Sequence, residues 1–242
     1  MTLPIIIVGG SGGIGSALAR RLAAAGRALH LIGRDAAKLS ATAAETGASH
    51  AAADIGDREA LADAIAAADG AVAGLVYAVG SITLKPLARI TDDDVERDFR
   101  LNALGAFRSV QLALPALKAN PEVSSVVLFS SIAVTQGFTS HASIGMAKGA
   151  VEGLTLSLAA ELAPKLRVNC IAPSLTQTPL AAGLTANAQM ASAIAALHPL
   201  QRLGEADDVA ALAAFLLGPD SGWITGQIIG VDGGRSTLRT KG

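Results

Sequence analysis

The chain has 242 residues, of which 51% are hydrophobic and 16% are charged, and its formal net charge is −1. This length allows one large domain with a sizeable core. The near-neutral charge argues against nucleic acid or a membrane surface as a partner, and with 3% aromatic residues a base-stacking surface is not expected. The single cysteine, Cys170, lies in the apolar run RVNCIAP, which predicts a core thiol in a reducing compartment.

The first ten residues, MTLPIIIVGG, have no basic segment and reach glycine after four apolar residues. They predict neither a secretory signal peptide nor a membrane span. We therefore expect a cytoplasmic protein that acts on a small-molecule substrate, and we predict no metal site.

Short apolar runs alternate with alanine-rich segments of helical spacing along the whole chain. The runs predict strands at residues 5–8, 29–32, 74–79, 125–129, 167–172 and 227–231, with a further strand closing at Asp54. The alanine-rich segments predict helices at residues 16–25, 36–46, 58–68, 93–117, 142–162 and 207–217. This alternation predicts an α/β fold of the Rossmann type, a single domain over 1–242 with a doubly wound parallel sheet and helices on both faces.

One segment, residues 174–203, breaks the alternation. Prolines at 173, 179 and 199 flank a small helical piece, AAGLTANAQMASAIAAL. Because long insertions beyond the carboxyl end of a strand carry substrate lids in such folds, we predict a lid here. A purely structural role is the alternative.

A glycine-rich turn, GGSGGIG at residues 9–15, follows the first predicted strand. Gly9, Gly13 and Gly15 have the spacing that lets backbone N–H groups approach a pyrophosphate at a helix N-terminus. The turn is not a Walker loop, since no Gly-Lys-Ser/Thr follows it. Its position between a strand and a helix predicts a dinucleotide site.

The second strand ends in Gly33-Arg34-Asp35. An acidic residue at this tip selects NAD, whereas an arginine accommodates the 2′-phosphate of NADP. The Arg34 guanidinium suits a phosphate, and Asp35 is interpreted as the N-cap of the next helix. We therefore predict NADP(H) in preference to NAD(H), with Asp54 close to the adenine.

Together with further motifs, this turn makes nearly the whole chain resemble the short-chain dehydrogenases/reductases. The similar stretches are LNALGAF with Asn102, LFSSIAV with Ser131, the active-site lysine Lys148, IAPSLTQTP, and the tail from PLQRLG to VDGG. The resemblance implies an oxidoreductase that uses Ser131, Lys148 and Asn102 in catalysis and assembles as a homotetramer or homodimer. It also implies cofactor contacts from Gly9, Ser11, Gly13, Ile14, Gly15, Arg34, Asp54, Ile55, Gly80, Lys148, Pro173, Leu175 and Thr178.

The sequence departs from the family pattern at three places. Tyr77 opens YAVG where the family has Asn-Asn-Ala-Gly, and Ser174 replaces the glycine after Pro173. Most importantly, Ile144 stands where the family has the tyrosine of Tyr-x-x-x-Lys, the residue that protonates the substrate oxygen. A hydrocarbon cannot transfer a proton, and neither Ser131 nor Lys148 is an obvious acid at neutral pH. Tyr77 is predicted to pack at its strand end.

His141 is a candidate for the missing proton donor. It lies seven residues before Lys148, so the two share a helix face at about 10 Å of rise. HASIGMAK locally resembles the enoyl-reductase branch of the superfamily, whose tyrosine lies seven residues before the lysine. An imidazole titrates near neutrality and can transfer protons there. Alternatively, His141 begins the helix, with Ser140 as its cap, or lies at a subunit contact.

Three hypotheses remain open. The first is an NADPH-dependent reductase of small carbonyl compounds that uses His141, or a water held by Ser131 and Asn102, as acid. The second is conjugate reduction of an activated alkene, where an enolate needs hydrogen-bond stabilisation more than a strong acid. The third is a non-catalytic NADP(H)-binding sensor or partner subunit. We favour a reductase, because a passive binder has no evident use for all three of Ser131, Asn102 and Lys148.

Overall fold

A computed structural model describes residues 3–240. Its main sheet has seven parallel strands in the order β3-β2-β1-β4-β5-β6-β9, and β7 pairs with β8 separately. The strands are β1 (Ile5–Val8), β2 (Leu29–Gly33), β3 (Ser49–Ala52), β4 (Gly74–Tyr77), β5 (Ser124–Phe129), β6 (Leu166–Pro173), β7 (Thr176–Gln177), β8 (Gly204–Glu205) and β9 (Ile228–Val231). The α-helices are α1 (Gly13–Ala24), α2 (Ala36–Thr46), α3 (Arg58–Ala66), α4 (Asp92–Phe99), α5 (Gly105–Ala119), α6 (Ala133–Gln136), α7 (Ala142–Leu162), α8 (Ala182–Thr185), α9 (Ala188–Ala195) and α10 (Ala206–Leu217).

Two apolar layers hold the sheet between helices. On one face α3, α5 and α7 pack through side chains such as Leu61, Val110 and Val151. On the other face α1, α2 and α10 pack through side chains such as Leu18 and Leu39. The central strands are buried on both faces, which explains their continuous apolar runs. The predicted doubly wound fold is confirmed.

The predicted helix 93–117 is wrong in one respect, because a π turn at Arg100–Leu104 separates α4 from α5. The wider turn leaves the Leu101 carbonyl oxygen able to accept a hydrogen bond of 2.6 Å from the Tyr77 hydroxyl. Tyr77 is only 2% exposed, and burial raises the pKa of its phenol. The structure therefore confirms that Tyr77 packs at the end of β4. π turns of this kind are frequent at functional sites.

Cys170 is fully buried in β6, and desolvation raises the pKa of its thiol to about 12. The thiol is therefore unreactive at neutral pH, as the sequence predicted. Within the part of the chain that the structure describes, no helix combines the length and apolar character needed to cross a membrane.

The strand order reverses between β1 and β4, which lie side by side with β2 and β5 outside them. In open parallel sheets this reversal opens a crevice at the carboxyl ends of the strands, where ligands bind. Most of the site residues predicted from the sequence follow the ends of β1, β2, β4, β5 and β6, so the topology brings them to one edge.

Candidate active site

The glycine turn lies at the reversal point of the sheet. Gly9 has a φ of +90°, a left-handed conformation that favours glycine. Its N–H donates to the Ile32 carbonyl oxygen at 2.7 Å, and a Cβ on it would lie 2.8 Å from the Ala78 carbonyl carbon. The turn therefore packs closely against both β2 and the residues that follow β4.

The helix α1 begins at Gly13, three residues earlier than predicted, so Gly13, Ile14 and Gly15 form its first turn. Its N-cap residue, Gly12, has no side chain to cap the helix, and the first turn holds no acidic residue. The first N–H groups of a helix lack internal partners and carry partial positive charge. A pyrophosphate fits this end of α1.

A second segment faces the turn. A Cβ on Gly13 would lie 2.7 Å from Thr178 Cβ and 3.2 Å from Pro179 Cδ. Thr178 follows β7, Pro173 ends β6, and Leu175 lies between these two strands. The structure therefore places Thr178 against the glycine turn, and all three predicted cofactor residues line the neighbouring cavity.

At the tip of β2, a Cβ on Gly33 would lie 3.2 Å from the Ser11 hydroxyl oxygen. Arg34 is the next residue and is exposed. Asp35 accepts a 3.1 Å hydrogen bond from Lys38 N as the N-cap of α2, which confirms its interpretation as a cap. The Ser11 hydroxyl therefore lies beside Gly33 and the exposed Arg34 follows it in the chain, and both side chains are of a type that donates to a phosphate.

The two predicted cofactor residues after β3, Asp54 and Ile55, differ in their exposure. The strand ends at Ala52, two residues before Asp54, which is exposed and accepts a 2.8 Å hydrogen bond from Gly56 N. The Ile55 side chain is buried in the core. A cofactor could therefore reach Ile55 only through its backbone.

A cavity of about 420 Å³ lies beside the glycine turn. Ile14 of the turn contributes to its wall, together with Ser131, His141, Ile144 and Lys148. Of the four polar residues predicted for catalysis, Ser131, His141 and Lys148 therefore line one space, whereas Asn102 is not among the residues of this wall. Ile144, 5% exposed, presents a hydrocarbon to the same space.

Lys148 is half-buried on α7, and its Nζ donates to the Phe129 carbonyl oxygen at 2.9 Å. Desolvation lowers the pKa of Lys148 to about 8, although the negative charge of Asp98 opposes this shift. A Cβ on Gly80 would lie 3.4 Å from Lys148 Nζ and 3.0 Å from Asn102 Oδ1. Gly80 therefore leaves open the space between the lysine and the asparagine.

We expect Lys148 to make the folding stability depend on pH above 8. Below pH 8 Lys148 is protonated in both the folded and the unfolded protein, so the folded state bears the full cost of burying the charge. Between pH 8 and 10.5 the unfolded chain binds more protons than the folded one, so raising the pH stabilises the fold. Relative to Lys148→Met, the wild-type free energy of unfolding should rise by about 2–3 kcal/mol over this range. Urea unfolding at several pH values measures it.

The difference between wild type and variant isolates this lysine, because every other titrating group is common to both proteins. Lys118→Met, at an exposed lysine of α5, serves as the matched control and should keep the wild-type pH dependence. Parallel stability curves for wild type and Lys148→Met would contradict the lowered pKa.

Asn102 is 1% exposed within the π turn. Its Nδ2 donates to Ser81 Oγ at 2.9 Å and to the Asp98 carbonyl oxygen at 2.7 Å. Its buried Oδ1 has no hydrogen-bond partner among residues 3–240. Such an orphaned acceptor beside Lys148 can receive a hydrogen bond from a water or from a bound ligand.

The sequence did not predict that the carboxylate of Asp98 lies buried beneath the cavity. Asp98 is fully buried, and its oxygens accept hydrogen bonds from Ser81 (2.7 Å), Thr83 (2.8 Å) and Ser143 (2.7 Å). Ser143 adjoins Ile144, and Ser81 lines the cavity. In the sequence, Asp98 resembles the other acidic residues of a surface helix, so only the fold reveals its role.

His141 is the N-cap residue of α7, and Ser140 before it has a φ of +65° and does not cap the helix. His141 Nδ1 lies 2.7 Å from the Thr139 carbonyl oxygen. Because a carbonyl only accepts, this contact requires a proton on Nδ1 and leaves Nε2 to exchange protons with a ligand. The Phe138 ring packs against the imidazole with centroids 5.3 Å apart.

Ser174, which replaces the family's glycine, has a structural partner that the sequence did not indicate. The Ser174 hydroxyl lies 2.7 Å from Nε2 of the buried His198, whose Nδ1 lies 2.9 Å from the Ile194 carbonyl oxygen of α9. The pair fastens the segment 174–203 to the end of β6. Its elements are short: the strand β7, a 3₁₀ turn and the helices α8 and α9.

Comparison with known proteins identifies the family to which the chain belongs. The family model described as enoyl-(acyl carrier protein) reductase matches residues 9–236. A tropinone reductase homolog of Arabidopsis thaliana is 35% identical over 239 residues, which cover 95% of this chain and 78% of that protein. The chain belongs to the short-chain dehydrogenase/reductase family, whose members are oxidoreductases that bind nicotinamide cofactors.

Two solved structures are similar over nearly their full length. A short-chain type dehydrogenase/reductase from Mycobacterium ulcerans superposes with a TM-score of 0.91 at 31% identity, covering 99% of this chain and 92% of the other. A gluconate 5-dehydrogenase from Burkholderia cenocepacia, solved with NADP and tartrate, gives a TM-score of 0.91 at 28% identity, with 98% and 96% covered.

Proposed function

We propose that this protein is an NADP(H)-dependent oxidoreductase that reduces a small carbonyl compound or activated alkene. One observation carries the proposal: Ser131, His141 and Lys148 line a single cavity that continues to the glycine turn through Ile14. When bound, the nicotinamide cofactor supplies the hydride, and the residues of this chain handle the charge and the proton.

The proposed roles follow from the contacts of each side chain. Ser131 Oγ accepts a hydrogen bond from Ala133 N at 3.2 Å, so its own proton is left to bind a substrate oxygen. The Lys148 ammonium stabilises negative charge that develops on that oxygen. His141 Nε2 delivers the proton, since Nδ1 is committed to Thr139. Asn102 Oδ1 orders a water beside Lys148.

The preference for NADP(H) is supported by the surroundings of Gly33. Ser11 Oγ and the exposed Arg34 flank this residue, and no carboxylate of residues 3–240 forms an ion pair with Arg34. The 2′-phosphate of NADP would accept hydrogen bonds from both side chains.

A non-catalytic NADP(H)-binding protein is the second candidate function. The observation that favours it is Ile144, which is 5% exposed and lines the cavity where the family has its tyrosine. A protein with this hydrocarbon at the proton-donor position, and with its contacts to the phosphates and ribose of the cofactor intact, would bind the cofactor without turnover.

Two measurements separate these functions. Calorimetry is expected to show NADPH binding more tightly than NADH. NADPH oxidation is then followed with a panel of aldehydes, ketones, quinones and enones, at least one of which is expected to turn over. His141→Asn places a favourable residue at the N-cap position of α7 but cannot transfer a proton, so kcat should fall by about 100-fold, the usual contribution of a general acid.

His50→Ala, at an exposed histidine on the edge strand β3, is the control and should leave kcat unchanged. Equal kcat values in wild type and His141→Asn would remove the histidine from the mechanism. Tight NADPH binding without oxidation by any member of the panel would favour the non-catalytic binder. Binding of neither NADPH nor NADH would overturn both candidates.

A further inference from the structure

Arg235 is a cation in the wall of the candidate substrate cavity. It lies four residues beyond β9 and is half-buried, and it lines the cavity together with Ser131, His141 and Lys148. Its guanidinium carbon lies 4.8 Å from the centroid of the Phe138 ring. The guanidinium therefore lies over an aromatic face at the cavity wall.

The backbone around Arg235 is fixed. Its carbonyl oxygen accepts a 3.0 Å hydrogen bond from Gln136 Nε2, and its N–H donates to the Asp232 carbonyl oxygen at 3.2 Å. Gln136 ends α6, the short helix that begins two residues after Ser131. The segment carrying Arg235 is thus tied to the segment carrying the candidate catalytic serine.

Arg235 has no carboxylate partner among the described residues. None of the ion pairs within residues 3–240 includes it. The acid Asp232 is close enough to act on the charge of Arg235, but its oxygens accept hydrogen bonds from Gly234 N, Ser236 N and the Ser236 hydroxyl. The carboxylate of Asp232 therefore makes its hydrogen bonds within its own turn and does not form an ion pair with Arg235.

The cavity as a whole is electropositive. Its charged lining residues in the described part of the chain are Lys148 and Arg235, and neither Asp nor Glu is present. Burial lowers the pKa of Arg235 below its usual value, yet a guanidinium stays protonated. Burying a charge is costly unless it is paired, and a cation–π contact with a phenylalanine returns only part of that cost.

From this arrangement we infer that the substrate carries an anionic group, of which a carboxylate is the simplest, and that Arg235 binds this group. The guanidinium offers a planar fork that matches a carboxylate with two parallel hydrogen bonds. The anion would then be fixed while the reducible carbon faces Ser131 and Lys148. This inference rests on the proposed oxidoreductase function, because it names the class of substrate for the same cavity.

The test compares two probes, 4-formylbenzoate and its methyl ester, in the second of which a methyl group replaces the negative charge of the carboxylate. Both carry the same aldehyde, and the cavity of about 420 Å³ accommodates either. Binding is measured by calorimetry on the protein saturated with NADP, and turnover by NADPH oxidation. The acid is expected to bind wild type about 10- to 100-fold more tightly than the ester, the range for hydrogen bonds to a charged partner.

Arg235→Met should remove this preference, because it weakens the binding of the acid while the affinity for the ester changes by no more than about threefold. Arg235→Lys should show an intermediate preference, since a lysine keeps the charge but loses the planar guanidinium fork. Arg239→Met, at an exposed arginine four residues later, makes the same charge change outside the cavity and should keep the wild-type preference. Unchanged NADPH affinity in all three variants shows that each is folded.

The two proposals fail in different ways. Equal affinity of wild type for acid and ester, or equal behaviour of Arg235→Met and Arg239→Met, would overturn the role of Arg235 while leaving aldehyde reduction intact. Tight, Arg235-dependent binding of the acid without NADPH oxidation would support the anion site and count against the oxidoreductase activity.

Discussion

Gly15→Ala is expected to lower the affinity for NADPH by about 100-fold, because the variant loses at least two charge-assisted hydrogen bonds to the pyrophosphate. A Cβ at this position would overlap the Gly9 carbonyl oxygen and lie 2.9 Å from the Gly9 carbonyl carbon. Both obstacles are backbone, so the turn and the first turn of α1 must separate. Calorimetric titration with NADPH measures the loss, and far-UV circular dichroism confirms that the variant is folded.

The matched control is Gly153→Ala. Gly153 lies inside α7, and a Cβ there meets no atom within 4 Å. This change should leave NADPH affinity unaltered and should stabilise the helix by up to about 1 kcal/mol. Wild-type NADPH affinity in folded Gly15→Ala would show that the pyrophosphate does not bind at this turn.

Asp98→Leu is expected to reduce the free energy of unfolding by about 3 kcal/mol, since buried hydroxyls that lose their acceptor cost about 1–3 kcal/mol each and some rotate to new partners. The three hydroxyls are those of Ser81, Thr83 and Ser143. Ser81 also accepts from Asn102, so the variant should disturb the π turn and lower kcat as well. Urea unfolding and steady-state kinetics measure the two effects.

Asp98→Asn keeps one acceptor oxygen and should lose less than half as much stability. Asp93→Leu, at an exposed position of the same helix, removes only a favourable interaction with the helix dipole and should cost less than about 1 kcal/mol. If Asp98→Leu and Asp93→Leu cost the same, the buried carboxylate does not organise this wall of the cavity.

Much of the fold follows from local patterns. The strands β1, β5 and β6 and the helices α2 and α7 lie where the periodicity predicts them, within about two residues. These elements are long, continuously apolar or strongly alanine-rich, and a parallel sheet covered on both faces requires such patterns. The place of the glycine turn is equally clear from the sequence, because its glycines follow an apolar strand and open a helix.

The parts that the sequence did not predict depend on contacts between distant residues. The π turn forms where the Tyr77 hydroxyl reaches the Leu101 carbonyl oxygen from another element. Asp98 became buried because α4 packs against α7, bringing Ser143 within 2.7 Å of it. The periodicity of the sequence shows which face of a helix is apolar. It does not show which polar side chain of a neighbouring helix will contact a polar residue on that helix.

The sequence by itself determined the family, the doubly wound sheet, the place of the glycine turn and the absence of a tyrosine four residues before Lys148. These are properties of residue type and spacing along one chain. Only the tertiary structure decided that Asp98 lies beneath the cavity, that Ser174 holds His198, and that Arg235 meets Ser131 in one space. The physical reason is that such groups become neighbours through sheet topology and packing, and their charges and hydrogen bonds then depend on partners far away in the sequence.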